Sequence, residues 1–211
     1  MQSLDLELFS GSENPVTTQN LIPEEAPSMK RLTQFFALAI LSATVVSLAA
    51  QAPQPKPPTT LKGVLLEQLK TTHNAQDWFA SGNTAIHGIT AEQAGWTDGK
   101  GNHSVGQLAY HLVFWNKRSL MQFKGEKPSK FSGDNEETFN KFTAEQWNDI
   151  VKQFDQVMTD WEKAVEAADD KVVAEKASLI AHVGAHNAYH IGQIVFVRKE
   201  QGSWDPAKGV K

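Results

Sequence analysis

No cysteine occurs among the 211 residues of the chain. This absence excludes disulfide bonds, zinc sites built from thiolates and a cysteine nucleophile. It also excludes a lipoprotein, because the lipid of such a protein is carried by a cysteine. Since the chain has neither disulfides nor free thiols, its cysteine content leaves the redox compartment open.

The chain also lacks an excess of charge of either sign. It has 20 basic and 24 acidic residues, and the first 52 residues hold two of the former and five of the latter, which leaves 18 against 19. A nearly neutral domain with interspersed basic and acidic residues has no basic surface of the kind that binds DNA or RNA. We therefore expect no nucleic-acid partner.

Residues 29–52 have the pattern of a secretory signal peptide, with a basic start, an uncharged apolar run and small residues near the expected cleavage. Residues 1–28 contain five acidic groups and no Lys or Arg, which is the wrong charge for the start of an export signal. We predict that translation begins at Met29 and that the mature protein is periplasmic or secreted, without stable membrane insertion. The alternative is an uncleaved N-terminal helix that anchors the protein in a membrane.

One folded domain is expected after the signal peptide. Residues 53–60 contain four prolines, which predict an extended linker. The domain is expected over residues 61–205, and residues 206–211 form a tail. With 40% hydrophobic residues, the chain can build a core of ordinary size.

Apolar residues at helical spacing predict four long helices, whereas no segment of strand length alternates between apolar and polar residues. Ser104 and Gln107 form a capping box, as do Thr143 and Gln146. Ser178 is expected to cap the last helix and Gly202 to close it. The predicted helices are residues 61–88, 104–123, 143 to about 167, and 178–202.

Each predicted helix has one apolar face, and these faces must be buried against one another. The sequence therefore predicts an all-α fold, a four-helix bundle of the up-down type. A longer crossover joins the second helix to the third. Its residues 125–140 are rich in Lys, Gly, Asp and Glu, so we expect them to be exposed to solvent.

Three histidines lie four residues apart in the last helix, at His182, His186 and His190. Neighbours at this spacing share one helix face and can bind one metal ion. All three cannot share it, because a rise of about 1.5 Å per residue separates the outer two by about 12 Å, whereas zinc to nitrogen bonds are about 2 Å long. Two ligands are therefore expected from this helix, at 186 and 190, and a third from elsewhere. Buried histidines with ordinary hydrogen bonds are the alternative.

His111 is the natural third ligand. It falls within the apolar stripe of the second helix, between Leu108 and Trp115, where a buried imidazole needs a partner. Metal sites in helical bundles are built from facing helices, so the predicted metal ligands are His111, His186 and His190. His73 and His87 are expected to be surface or helix-end residues.

The segment from Ser104 to Trp115, together with His186-Asn-Ala-Tyr-His190-Ile-Gly-Gln193 and Arg198, resembles the DinB-like superfamily of metal-binding four-helix bundles. The resemblance covers about residues 61–205. It implies a divalent metal ion, often zinc or nickel, held by His111, His186 and His190. His182 is not among the ligands that the resemblance implies, and we expect it to have a neighbouring or structural role. Members of this family include S-transferases that use bacillithiol or mycothiol, a maleylpyruvate isomerase and some hydrolases, and they are often dimers.

Two functions are compatible with this resemblance. The first is a metal-dependent enzyme acting on a small molecule, either a hydrolase or a thiol S-transferase, and export favours hydrolysis because the cytoplasm keeps thiols reduced. The second is a non-catalytic protein that binds a metal or a small ligand, with the ion as a structural staple.

No acidic residue lies within residues 186–193 to act as a general base. Gln193 could orient a ligand or make a structural hydrogen bond, and Trp115 and Tyr189 could line a pocket or pack in the core.

Overall fold

The structure, a computed structural model, describes residues 56–75, 77–131 and 133–209. All regular secondary structure in these ranges is helical, which confirms the predicted all-α class. The expected upstream extension, the signal peptide and the first part of the linker lie outside the described residues. Within the described ranges, no helix combines the length and the apolar character that a membrane span requires.

Eight α-helices are found in the described ranges, and two short 3-10 turns accompany them at Ala144–Gln146 and Pro206–Lys208. In chain order the helices are α1 (Leu61–His73), α2 (Gly82–Ile86), α3 (Ala91–Gly95), α4 (Val105–Phe123), α5 (Glu137–Asn140), α6 (Trp147–Ala167), α7 (Asp170–Glu175) and α8 (Ala177–Glu200).

The four longest helices form the bundle. Helix α1 packs against α6 and α8, and α4 packs against the same two helices. Burial of one apolar face from each helix drives this arrangement. The apolar face of α6 is buried as predicted, except that Val151 is only partly buried. Its buried residues are Trp147, Ile150, Phe154, Val157, Met158, Trp161 and Val165.

The first predicted helix, residues 61–88, is divided in the structure. Helix α1 ends at His73, and the Ser81 hydroxyl caps α2 by accepting a hydrogen bond from the backbone N–H of Thr84. A side chain at Gly82 would collide with the ring of Phe154, so only glycine allows this close approach of α2 to α6. The chain turns after α1 and packs the short helix α2 against the core, so the predicted helix is interrupted.

The predicted helix ends are correct at most positions. Both capping boxes are present, and Gly202 follows α8 with a φ of 75°, as a closing glycine should. Ser178 was expected to cap the last helix, and that prediction is wrong. Helix α8 begins at Ala177, so Ser178 already lies inside it and its Oγ is 3.4 Å from His182 Nδ1.

The crossover between α4 and α6 is not solvated throughout, which corrects the expectation for residues 125–140. It contains α5, in which Thr138 and Phe139 are buried. Helix α5 packs against α4, so two crossover residues enter the protein at the level of His111. The charged residues on either side stay exposed.

Candidate metal centre

Nitrogen atoms of His111, His186 and His190 lie within 4.8 Å of one another. The Nε2 atoms of His111 and His186 are 3.0 Å apart, and the ring of His190 is centred 4.6 Å from each of the other two rings. The structure thus brings together the three histidines that the sequence singled out, one from α4 and two from α8. Three imidazoles with an open fourth position are a donor set that fits a divalent ion such as zinc.

The helices that carry these histidines are aligned by a buried amide pair. Asn116 Nδ2 donates to Asn187 Oδ1 at 2.7 Å, and Asn187 Nδ2 donates to Asn116 Oδ1 at 3.3 Å. Both side chains are buried, and Asn187 is the direct neighbour of His186 in the chain. The pair therefore sets the position of α4 relative to α8 within two turns of the three histidines.

A hydroxyl from the crossover lies against the ring of His111. Thr138 donates its only hydroxyl proton to the carbonyl oxygen of Asn135 at 2.6 Å. The hydroxyl oxygen of Thr138 is also 2.6 Å from His111 Nδ1. This contact holds the ring of His111 so that its Nε2 atom faces His186.

His190 is oriented in the same manner. Its Nδ1 donates to Gln193 Oε1 at 2.6 Å, which leaves Nε2 without a proton. Of the two roles considered for Gln193, the structural hydrogen bond is the one observed. Hydrogen bonds of this kind hold a histidine in the tautomer and the orientation that a metal ion requires.

The environment keeps the three rings neutral. Burial, followed by the proximity of His190 and His186, lowers the pKa of His111 to about 3. Burial and His190 lower the pKa of His186 to about 4. The pKa of His190 is lowered by burial, against the opposing effect of its bond to Gln193. Neutral imidazole is the form that binds metals, so all three rings have the required charge at neutral pH.

A cavity of about 660 Å³ opens beside the three rings. Trp115 and Tyr189 line it, as predicted in one of the two alternatives for them. His182 also lines the cavity but is exposed and belongs to no group of ligand atoms found in the described residues. A small molecule in this cavity would lie next to the histidine cluster.

Several residues of the site were not identified from the sequence, among them His103, Glu136, Thr138 and Phe139. The ring of Phe139 is stacked between those of His103 and His111, with 3.9 Å between centroids on each side. Glu136 lines the cavity, and its Oε2 is 3.8 Å from His103 Nε2, so the cavity does contain a carboxylate. The available signal was Thr138 and Phe139 themselves, a β-branched and an aromatic residue within a mostly polar segment.

The two histidines expected at the surface or at helix ends differ from each other. His87 is exposed and follows α2 directly, as predicted. His73 is the last residue of α1, which agrees with the helix-end alternative, but it is buried and does not lie at the surface. Its Nδ1 is 2.7 Å from Glu162 Oε1 and its Nε2 is 3.0 Å from Asp155 Oδ1, so α6 supplies carboxylates that make burial of this ring possible.

Comparison with known proteins agrees with the geometry. Residues 83–194, which include all three clustered histidines, match the family model described as DinB superfamily. A search of curated proteins gave no significant match. A search of solved structures gave none either. The matched region covers more than half of the chain and contains the whole candidate centre, and the chain belongs to the DinB superfamily.

Proposed function

We propose that this protein is a metal-dependent hydrolase that binds a divalent ion, zinc or nickel, through His111, His186 and His190 and acts on a small molecule. The observation that carries the proposal is the convergence of three neutral imidazoles, with ligand nitrogens within 4.8 Å of one another, on the wall of a cavity. Such an ion, when bound, supplies Lewis acidity that polarises a carbonyl or lowers the pKa of a water or thiol.

The protein's own residues supply the other requirements of such a reaction. Thr138 and Gln193 hold two of the ligands in the tautomer that exposes Nε2. Trp115 and Tyr189 give the cavity aromatic walls against which an apolar part of a substrate can pack. Glu136 provides a carboxylate in the same cavity that is able to accept a proton.

The cavity favours an enzyme or a ligand-binding protein over a protein whose metal ion only holds two helices together. A staple between α4 and α8 needs three ligands but no neighbouring space of about 660 Å³. Thiol S-transfer is the second candidate reaction, supported by the family resemblance. The proposed export of the protein favours hydrolysis over it, because low-molecular-weight thiols are kept reduced in the cytoplasm.

Export itself is proposed from the signal-peptide pattern of residues 29–52. N-terminal sequencing of the natural protein would test it. We expect cleavage near Ala49 to Ala52 and a mature chain that begins directly after it. A product that retains residues 1–28 would overturn both the export proposal and the proposed start at Met29.

Elemental analysis of the purified protein tests the metal site directly. We expect about one divalent ion per chain, and loss of that ion in the His111→Ala and His190→Ala variants. Hydrolysis of chromogenic esters and transfer of simple thiols would then be measured with the bound ion present and after chelation. If chelation lowers the melting temperature but neither reaction depends on the metal, the staple is the better account.

A further inference from the structure

We propose that Thr138 is a positioning residue of the metal centre, which holds His111 in the metal-binding tautomer from a helix that contributes no ligand. The inference rests on the proposed function, since it concerns the same three histidines. It assigns a role to the crossover, whose sequence indicated only a solvated connection.

The hydrogen bonds around Thr138 allow one arrangement of protons. The hydroxyl has a single proton, and the Asn135 carbonyl, which can only accept, takes it at 2.6 Å. The His111 Nδ1 atom, also at 2.6 Å, must therefore donate to Thr138. A neutral imidazole carries one proton, so Nε2 of His111 is a bare acceptor.

This arrangement has a consequence for His186. Its Nε2 lies 3.0 Å from the bare Nε2 of His111, and a hydrogen bond at that distance needs a proton on one of the two atoms. Because His111 has its proton on Nδ1, the shared proton belongs to His186. His186 must therefore move this proton to Nδ1 before it can act as a ligand, whereas His111 is already in the required form.

Among the described residues, a hydrogen-bond partner for Nδ1 is found in two of the three histidines, and His186 is the exception. His111 Nδ1 bonds to Thr138 and His190 Nδ1 bonds to Gln193, whereas no protein partner is found for Nδ1 of His186. Two ligands are fixed and one is free to change its tautomer. Without Thr138, His111 could also place its proton on Nε2 and donate to His186, and it would then offer no lone pair to an ion.

Three variants separate positioning from a purely structural role. Thr138→Val keeps the shape of the side chain but removes the hydroxyl, Thr138→Ser keeps the hydroxyl, and Thr138→Ala is a second hydroxyl-free variant in case valine disturbs folding. Long-range proton–nitrogen NMR correlations of the histidine rings, recorded on the chelated full chain, report which ring nitrogen is protonated. Competition with a chelator measures zinc affinity.

We expect His111 to be protonated on Nδ1 in the wild type and in Thr138→Ser, and to populate the Nε2–H form in Thr138→Val and Thr138→Ala. Zinc affinity should fall by about 10 to 100-fold in the two hydroxyl-free variants, the usual effect of removing such a partner. Unchanged ring spectra and unchanged affinity in those variants would overturn the inference, even if their melting temperatures fall. If the wild type binds no zinc, the proposed function fails, while the ring spectra still decide the role of Thr138.

Discussion

Asn116 and Asn187 exchange hydrogen bonds through their side-chain amides, at 2.7 and 3.3 Å, between the helix that carries His111 and the helix that carries His186 and His190. Asn116 Nδ2 also donates to the carbonyl oxygen of Leu112. Both side chains are buried, and each amide oxygen accepts its hydrogen bond from the other amide. The pair thus couples the stability of the bundle to the alignment of its metal centre.

Replacing one member of this pair should cost more than replacing both. Asn187→Leu leaves the buried amide of Asn116 short of a partner, and we expect the free energy of unfolding to fall by about 1 to 3 kcal/mol. The double variant with Asn116→Leu should lose less than the sum of the two single losses, because it leaves no orphaned amide. Urea denaturation of the chelated protein measures all three. Strictly additive losses would show that the two amides do not depend on each other.

His182 and His186 provide a matched pair for testing the metal centre, because they lie one turn apart on α8 and both line the cavity. We expect His186→Ala to lose the bound ion and His182→Ala to retain it. Zinc at 100 times its dissociation constant should raise the free energy of unfolding by about 2.7 kcal/mol in the wild type and in His182→Ala, and hardly at all in His186→Ala. Loss of the ion in His182→Ala would refute the assigned ligand set.

Stability of the chelated protein should depend on pH through the clustered histidines. Their pKa values are lowered in the folded state, so the unfolded chain binds more protons below pH 6.5, the ordinary value for histidine. The stabilisation is complete above about pH 6.5 and is lost as the pH falls through about 4 for His186 and about 3 for His111. His111 contributes up to about 1.4 kcal/mol per pH unit.

Thermal unfolding between pH 4 and pH 8, in the wild type and in His111→Gln, measures this dependence. The variant should show a flatter decline between pH 6.5 and pH 4, because one buried titrating ring is gone. An equally steep decline in both proteins would show that His111 does not titrate as its burial implies. Zinc affinity should fall over the same interval, since protons and the ion compete for the same nitrogens.

His73 should contribute to stability and not to metal binding. Both of its ring nitrogens lie within hydrogen-bond distance of carboxylate oxygens, those of Glu162 and Asp155. His73→Leu removes this partner from two carboxylates of α6, and we expect a loss of about 1 to 3 kcal/mol in chemical denaturation. The exposed His87 is the control, and His87→Ala should stay within about 0.5 kcal/mol of the wild type. A His73→Leu variant as stable as the control would show that the bonds contribute nothing.

Local patterns were sufficient for most of the helices and for several of their ends. The capping box of Ser104 and Gln107 depends on residues three apart, and the apolar face of α6 depends on the helical period alone, so both are readable along the chain. The interruption between α1 and α2 was not predicted. The close approach of Gly82 to Phe154 that places α2 on the core joins residues 72 positions apart, which no local pattern shows.

The crossover shows why composition misled at one segment. Most of residues 125–140 are charged or polar, which is typical of a solvated loop. Two residues of α5 are nevertheless buried, because the hydroxyl of Thr138 and the ring of Phe139 find their partners on His111 of another helix. Composition averages over a segment, whereas burial is decided residue by residue.

The sequence alone determined the helical class and singled out the three histidines, because the four-residue spacing of His186 and His190 and the place of His111 in an apolar stripe follow from helix geometry. The family was indicated by the resemblance of its motifs. Only the tertiary structure decided that the hydroxyl of Thr138 lies against the ring of His111, that Glu136 lines the cavity, and that His73 is buried. The hydrogen bonds of His111 with Thr138 and of His73 with its two carboxylates join residues 27 to 89 positions apart. Contacts over such separations depend on how different helices pack against one another, and no local sequence pattern determines that packing.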